Sequence, residues 1–310
     1  MDRIRVGYAS RAVGTAPVWT ACDAGYFQAL GIDVEPVLFQ GSMRVTKALE
    51  SGEVQLANFA APAAMQANLE RGADLIVVLG AMNRMMQALM GRPGVRTLDD
   101  LRGGAIGVNS WGEVNHWMLE ALLPRLGLVR DRDVRLVETG RHDGDAWNID
   151  APIDALMFHP PEPFAAARAG WSMLVDTREI QIPFQLSCIT GRRAWIDANR
   201  DLVARYLRGH VEGILRFNND RECGLAAMRK WGSPVEEAVQ VETYDFASRE
   251  FSQRPFPTAA SIAGILGAMQ GKVAGADPAR AAQYVDDSFM REMEASGVLA
   301  AMTRKFDALA

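Results

Sequence analysis

Residues 33–80 read DVEPVLFQGSMRVTKALESGEVQLANFAAPAAMQANLERGADLIVVLG, and this stretch decides the fold. Short apolar runs alternate in it with amphipathic segments of helical period. A turn of small or polar residues, such as the one at residues 40–42, separates each apolar run from the helix that follows. Strands that alternate with helices of this length lie parallel and are joined by crossovers. The stretch therefore predicts an α/β domain.

The same rhythm extends upstream and downstream. A strand over residues 3–9 and a helix over residues 17–30 precede the stretch, and Gly91, Pro93 and Gly94 break the chain after it. A second α/β series follows the break. Its candidate strands are residues 104–109, 134–138, 153–158 and 172–176, with a helical stretch near 145–150. From residue 199 onwards the period is helical, and no further strand is predicted.

This order predicts an α/β fold with two lobes, each a mixed, mainly parallel sheet flanked by helices, and a helical C-terminal tail. The predicted first lobe comprises residues 1–88 and 187–310, and the predicted second lobe comprises residues 89–186. The chain then crosses between the lobes twice, near 86–91 and near 184–189. A ligand held between the lobes by hinge closure is the function that such an arrangement favours.

Composition excludes several classes of protein. The chain has 310 residues, 49% of them hydrophobic and 23% charged, with a formal net charge of −5. This balance predicts a globular protein and no nucleic-acid partner, because a phosphate-binding surface must be basic. No run approaches the ~18 apolar residues of a membrane-spanning helix. The start, MDRIRVGYAS, enters a strand directly, which predicts a cytoplasmic protein, or a periplasmic one if a leader peptide has been removed.

The cysteines and histidines form no recognisable site. Both groups are scattered, without metal-ligand spacing, and comprise Cys22, Cys188 and Cys223 together with His116, His142, His159 and His210. We therefore expect no disulfide framework, no metal centre and no cofactor.

Several longer segments resemble one protein family. GYF leads into GIDVE at residues 25–35, and LESGEVQLA follows at residues 49–57. In the second series, TLDDLRGGAIGVNSWGE and IDALMFHPPEPFAAARAG match in the same way, and ITGRRAWIDANRDLVARYLRG matches the return to the first lobe. Together these segments, over residues 3–220, resemble the nitrate/sulfonate/taurine-type substrate-binding proteins of ABC importers, a family with thiamine-pyrimidine-related members.

The resemblance implies a type 2 periplasmic-binding-protein fold and a monomer that holds a small solute and delivers it to an ABC permease. The wider superfamily also includes enzymes, among them a sulfinate desulfinase, an aromatic decarboxylase and a pyrimidine synthase. The desulfinase requires a cysteine in the first loop, which here reads SRAVGTAP, and the pyrimidine synthase requires a cysteine cluster that this sequence lacks. The fold alone does not decide between binding and catalysis.

The resemblance also indicates where ligand contacts lie, because in this family they come from the loops that leave successive strands. The candidate ligand-binding residues are Ser10, Arg11, Gln40, Ser42, Asn58, Phe59, Ala60, Arg84, Asn109, Ser110, Trp111, Glu113, His159 and Ser187. Arg11 and Arg84 could each bind an anion, although an exposed charge or a structural ion pair explains them equally well. Ser42 is also a candidate N-cap.

Glu113 is an unexpected residue in the segment GVNSWGEVNHW, residues 107–117. One interpretation places it in the first turn of a helix that begins at Ser110 and Trp111, where it caps the amides of its own helix. The other interpretation turns its carboxylate into the cleft, where it would repel an anion and favour a ring-bearing or nitrogenous ligand.

Two functions remain open at this point. The first is capture of a small organic ligand, such as a ring-bearing or nitrogenous acid, a sulfonate or a carboxylate, for ABC import. The second is an enzyme on the same fold, a decarboxylase or hydrolase of a small aromatic or heterocyclic acid. In that case Glu113, His159 and Glu162 are the candidate acid/base residues.

Overall fold

The computed structural model describes residues 1–140 and 151–308. The strands are β1 (Asp2–Tyr8), β2 (Ile32–Leu38), β3 (Leu56–Phe59), β4 (Leu75–Arg84), β5 (Ala88–Gly91), β6 (Ala105–Val108), β7 (Arg135–Glu138), β8 (Ala155–Phe158), β9 (Ser172–Asp176) and β10 (Pro183–Arg192). They form two five-stranded sheets. The predicted helical stretch near 145–150 lies outside the described residues.

The helices pack against these sheets. They are α1 (Ala16–Asp23), α2 (Tyr26–Ala29), α3 (Ser42–Ser51), α4 (Pro62–Arg71), α5 (Val114–Leu122), α6 (Glu162–Arg168), α7 (Thr177–Ile180), α8 (Arg193–Ala198), α9 (Arg200–Asn219), α10 (Arg221–Trp231), α11 (Glu237–Ala247), α12 (Ala259–Met269), α13 (Ser288–Ala295) and α14 (Val298–Asp307). Short 3-10 turns occur at Val13–Thr15, Asp99–Leu101, Leu123–Leu126 and Pro278–Tyr284.

The two sheets have the same topology. The first has the order β2-β1-β3-β10-β4 and the second has the order β7-β6-β8-β5-β9. In each sheet four strands point one way, and one strand, β10 or β5, runs against its neighbours. We call the first sheet with its helices the first lobe and the second sheet with its helices the second lobe. The predicted two-lobe α/β fold, with mainly parallel sheets and a helical C-terminal part, is confirmed.

The chain passes between the sheets twice. It leaves the first sheet through residues 85–87 and returns through residues 177–182, which contain α7. The second crossing predicted near residues 184–189 falls inside β10, where Cys188 and Ile189 pair with both β3 and β4. Neither β5 nor β10, the two reversed strands, stands out in the sequence as a regular member of the strand–helix rhythm.

Two sequence predictions differ locally from the structure. The single helix predicted over residues 17–30 is divided into α1 and α2, because Gly25 adopts a left-handed conformation with φ of 72°. Strand β4 does not end near Gly80 but continues to Arg84, which pairs with Pro183 of β10. Tertiary pairing thus extends the strand beyond the point where the local sequence suggests a turn.

The C-terminal helices belong to the core. The long helix α9 packs on α1, and the aromatic rings of Phe27 and Tyr206 stack with centroids 5.0 Å apart. Helix α12 packs on β10 of the first lobe and on α5 of the second. Its Ser261 hydroxyl donates to Gln185 Oε1 of β10 at 2.9 Å. The helical tail therefore spans both lobes instead of extending from one of them.

Candidate functional site

A cleft of about 830 Å³, its open mouth included, lies between the two sheets. The residues after β1, β2 and β3 line one side, and the residues after β6 and β8 line the other. The β4–β5 connection and the first half of β10 supply the remaining wall. The carboxyl ends of parallel strands are the usual binding edge of an α/β sheet, so the cleft lies where a small ligand is expected to bind.

Most of the candidate ligand residues line this cleft. They are Ser10, Gln40, Ser42, Asn58, Phe59, Ala60, Asn109, Glu113, His159 and Ser187. Their loops are far apart in sequence but leave strand ends that face one another, so the two-sheet topology brings them together.

Glu113 bridges the two lobes. Its Oε2 accepts a hydrogen bond from the Ser42 amide at 3.0 Å, and its Oε1 accepts one from the Met43 amide at 3.1 Å. These amides form the N-terminus of α3, where free N–H groups and the helix dipole favour a negative charge. The expectation that Glu113 caps its own helix is wrong, because α5 begins at Val114 and its N-cap residue, Glu113, makes no side-chain cap there. Ser42 is likewise not an N-cap, since Gly41 holds that position.

The tight turn before α5 brings the Glu113 side chain to the N-terminus of α3. Gly112 has φ of 83°, a conformation that L side chains rarely adopt. A Cβ at this position would stand 3.0 Å from Gln66 Oε1 and 3.4 Å from Met43 Sδ. The turn can therefore approach α3 and α4 only because residue 112 lacks a side chain. The Trp117 indole adds a second contact between the lobes by donating to Gln66 Oε1 at 3.2 Å.

A polar wall faces Glu113 from the first lobe. The buried Asn58 carboxamide donates to Ser187 Oγ at 3.3 Å, and the Ser187 hydroxyl donates to the Gly14 carbonyl at 2.9 Å. These bonds join the 3-10 turn after β1, the end of β3 and the first half of β10. Because each polar group holds the next, the network favours a preorganised wall.

His159 lies at the end of β8 and borders the cleft. Its Nδ1 is 3.4 Å from Glu162 Oε2, and the Glu162 amide donates to the His159 carbonyl at 3.0 Å. Glu162 begins α6 and is not part of the cleft lining. Of the three candidate acid/base residues, the structure thus places Glu113 and His159 at the cleft, with Glu162 behind His159.

Neither candidate arginine belongs to the cleft lining. Arg11 is exposed, and its carbonyl accepts a hydrogen bond from the Ser233 amide at 3.2 Å. The Arg84 guanidinium donates to Glu250 and to Gln181, each at 2.8 Å. Glu250 is largely buried, so Arg84 is held in a structural ion pair.

Ser110 and Trp111 also lie outside the cleft lining. The Ser110 carbonyl accepts a hydrogen bond from the Glu113 amide at 3.2 Å and so belongs to the turn before α5. Trp111 is 40% exposed, and the Arg130 guanidinium lies over its ring, 5.1 Å from the centroid. The indole lines a separate surface groove, whose other walls include Gln66 of α4 and Lys272 after α12.

Phe59 and Ala60 were predicted, but most of the apolar wall was not. The unpredicted lining residues include Val13, Met82, Met86, Val114 and Leu186, together with the polar Gln87. Methionine and leucine are also the commonest core residues, so nothing in their pattern distinguished a cleft wall from a core. The run MNRMMQ at residues 82–87, directly at a predicted crossing, was the one available signal.

A buried ion cluster holds α5 beside the cleft. Burial alone would raise the pKa of Glu120, but hydrogen bonds from His116 and Arg130 and the charges of Lys272 and Arg130 outweigh it and lower the pKa to about 2. Lys272 follows α12 and lies 3.4 Å from Glu120 Oε2. The cluster therefore connects α5 of the second lobe to the C-terminal segment.

Two of the three cysteines have raised pKa values, and the described residues contain no metal cluster. Burial raises the pKa of Cys22 and of Cys188 to about 12, which is the opposite of what a nucleophilic thiolate requires. Within the described ranges, no three His, Cys, Asp or Glu side chains come together in a way that could hold a metal ion. No helix in the described part of the chain has the length and apolarity needed to cross a membrane.

Comparison with known proteins gives one family and a shared fold. The sequence model of the family described as NMT1/THI5 like matches residues 13–220. No curated protein matches the chain in sequence. The family match and the folds described next confirm the predicted resemblance to substrate-binding proteins of ABC importers.

Three solved structures illustrate the fold. The alkanesulfonate-binding protein SsuA of Xanthomonas axonopodis pv. citri, bound to MOPS, is 18% identical, with a TM-score of 0.75 over 93% of this chain and 99% of its own. The periplasmic nitrate-binding protein NrtA of Synechocystis PCC 6803 is 11% identical, with a TM-score of 0.71 over 98% and 91%. The desulfurization enzyme DSZB is 15% identical, with a TM-score of 0.67 over 96% and 99%. These identities establish a common fold and no common ligand.

Proposed function

This chain belongs to the NMT1/THI5-like family, and from that premise we propose that it is a solute-binding protein that captures a small organic molecule for ABC import. One observation carries the proposal: the cleft is walled by the facing strand ends of two lobes, so that both lobes can contact the same small molecule. Closure of two lobes around a ligand is the working motion of such proteins.

The two crossings between the sheets are the proposed hinge. Residues 85–87 and 177–182 are short and adjacent, since the Thr177 amide donates to the Gln87 carbonyl at 3.0 Å, and Met86 and Gln87 line the cleft. The proposed lobes are then residues 1–84 with 183–310 and residues 88–176, where the sequence predicted residues 1–88 with 187–310 and residues 89–186. Rotation about these segments would separate Glu113 from α3 and open the cleft.

The named relatives support this assignment. SsuA and NrtA are binding proteins for an alkanesulfonate and for nitrate, and both share this fold over nearly their whole length. By analogy with them, the partner of this chain is an ABC permease, and its place of work is outside the cytoplasm. The cleft is formed by one copy of the chain, so a monomer suffices.

The test is thermal unfolding against a panel of aromatic acids, sulfonates, amines, amides and heterocycles, with recovery of each stabilising compound for mass analysis. A compound present at ~100 times its dissociation constant adds ~2.7 kcal/mol to the free energy of unfolding. The proposal requires at least one panel compound to stabilise the protein and to be recovered unchanged. Absence of any stabilisation would reject it.

A second candidate function rests on His159 and Glu162. The His159 imidazole lies at the edge of the cleft, and its Nδ1 is 3.4 Å from Glu162 Oε2, so the two residue types that general acid/base catalysis uses lie side by side. DSZB, which is an enzyme, has the same fold. If a stabilising compound returns with altered mass and His159→Ala abolishes the change, the protein is an enzyme. If the mass is unaltered, the binding function stands.

A further inference from the structure

The N-terminus of α3 is a ready site for an anion, and this protein has filled it with its own carboxylate. Glu113 accepts both the Ser42 and the Met43 amides, and only 7% of its surface is exposed. A ligand sulfonate, nitrate or carboxylate that approached this helix end would meet Glu113 first. Two negative charges in one poorly solvated cleft repel each other strongly.

The charge of the wall agrees with this observation. The described residues that line the cleft include no lysine and no arginine, and Glu113 is their one carboxylate. Arg84, the nearest candidate cation on β4, is paired with the buried Glu250. Apart from the imidazole of His159, a ligand anion would therefore lack a side-chain counter-ion in the cleft, whereas a ligand cation would have one in Glu113.

The wall also offers hydrogen-bond acceptors. A carboxylate can accept about four hydrogen bonds, and the two α3 amides use two positions of Glu113. Gln87, which is 2% exposed, borders the cleft, and its Oε1 has no hydrogen-bond partner among the described protein atoms. The side chains of Phe59, Met82 and Met86 add an apolar surface suited to a flat ligand body.

We propose that the cleft selects ligands with a nitrogen donor, such as an amine, amidine or ring amino group, that faces Glu113, and with an apolar body that packs on Phe59 and the methionines. This inference rests on the proposed solute-binding function and names its ligand class. Glu113 is then the specificity-determining residue. Its carboxylate accepts a hydrogen bond from the ligand nitrogen. Its hydrogen bonds to the α3 amides hold the second lobe against α3.

Three planar probes of nearly equal shape test the inference: benzamidine, benzamide and benzoate, which carry a positive, zero and negative charge. Their dissociation constants are measured by calorimetric titration near neutral pH. We expect benzamidine to bind at least 10-fold more tightly than benzoate, with benzamide between them. Because any cost of closing the lobes is common to the three probes, it cancels in this ratio, and the wild-type protein alone can refute the inference.

Two variants assign the preference to one residue. Glu113→Gln keeps the shape and an acceptor oxygen but removes the charge, and it should reduce the benzamidine-to-benzoate ratio at least 10-fold. Glu138→Gln is the matched control, since the exposed Glu138 carboxylate accepts the Trp111 amide at 3.3 Å outside the cleft lining. This control should leave the ratio unchanged.

The outcomes separate the inference from the function beneath it. Tighter binding of benzoate than of benzamidine, or stabilisation by anionic panel compounds alone, would overturn the ligand class and leave solute binding intact. An unchanged ratio in Glu113→Gln would overturn the role of Glu113. If no compound of the trio or of the panel binds, the proposed function fails, and the ligand class fails with it.

Discussion

His210 predicts a measurable loss of stability in mild acid. It lies within α9, is fully buried, and neither ring nitrogen has a hydrogen-bond partner among the described residues. Burial lowers the pKa of His210 from 6.5 to about 3. The neighbouring Tyr206 ring lies 6.1 Å away, and burial raises its pKa, so that it stays neutral in this range. The perturbation is the substitution His210→Leu, which removes the titrating group at similar volume.

The direction of the change in unfolding free energy with pH follows from the protonation of His210 in the folded and unfolded states. Between pH 6.5 and about pH 3 the unfolded chain carries a proton on this imidazole and the folded protein does not. The contribution to stability is therefore complete above pH 6.5 and is lost as the pH falls towards 3. One such proton changes the free energy of unfolding by about 1.4 kcal/mol per pH unit, or roughly 2 kcal/mol between pH 6.5 and pH 5.

The assay is urea unfolding of the wild-type protein and of His210→Leu at about pH 7 and about pH 5. For each protein we take the loss of unfolding free energy between the two pH values. Carboxylates present in both proteins contribute equally to the two losses, so their contribution cancels when the losses are compared. The wild-type protein should lose roughly 2 kcal/mol more than the variant on acidification. Equal losses would mean that His210 is protonated or solvated in the folded state, and the account of its burial would be refuted.

Three further substitutions test the contacts that hold the cleft together. Glu120→Gln leaves Arg130 and Lys272 beside an uncharged group and should lower the free energy of unfolding by ~1–3 kcal/mol in urea unfolding at neutral pH. Because the pKa of Glu120 is lowered to about 2, the difference between variant and wild type should shrink as the pH falls from 4.5 towards 2. Gly264→Ala forces a Cβ of α12 into the Pro183 carbonyl and should lower the unfolding free energy by ~2–3 kcal/mol, whereas Gly267→Ala should not. Glu113→Ala should increase the radius of gyration of the unliganded protein in X-ray scattering, because it frees α3 from the second lobe, while Glu138→Ala leaves it unchanged.

Much of the fold could be predicted because its signals are local. The apolar runs of β1, β2 and β3 and the amphipathic helices after them carry their own periodicity, so that the parallel part of each sheet was recognisable. The reversed strands β5 and β10 lack that signal. Their conformation comes from pairing with strands distant in sequence, such as Cys188 with Phe59, and such long-range pairing leaves little trace in a short window.

The site was predictable to the extent that it follows from topology. Strand ends such as Asn58 and His159 were identified because loops at the carboxyl edge must converge. The partners of individual side chains were not predictable. Arg84 and Glu250 are far apart in sequence, and so are Glu113 and Ser42. The sequence therefore could not show that Arg84 is held in an ion pair or that Glu113 binds the α3 amides.

The central claim is that a small molecule binds between the lobes, and a plugged cleft tests it most directly. Gly14 lines the cleft, and a Cβ there would meet only Ser187 Cβ, at 4.0 Å, so Gly14→Phe can place a ring in the ligand space. Gly267→Phe, at an exposed position of α12, is the control. With a stabilising panel compound at ~100 times its dissociation constant, the wild-type protein and the control should each gain ~2.7 kcal/mol, and Gly14→Phe should gain nothing. An equal gain in the plugged variant would place the ligand elsewhere and contradict the account.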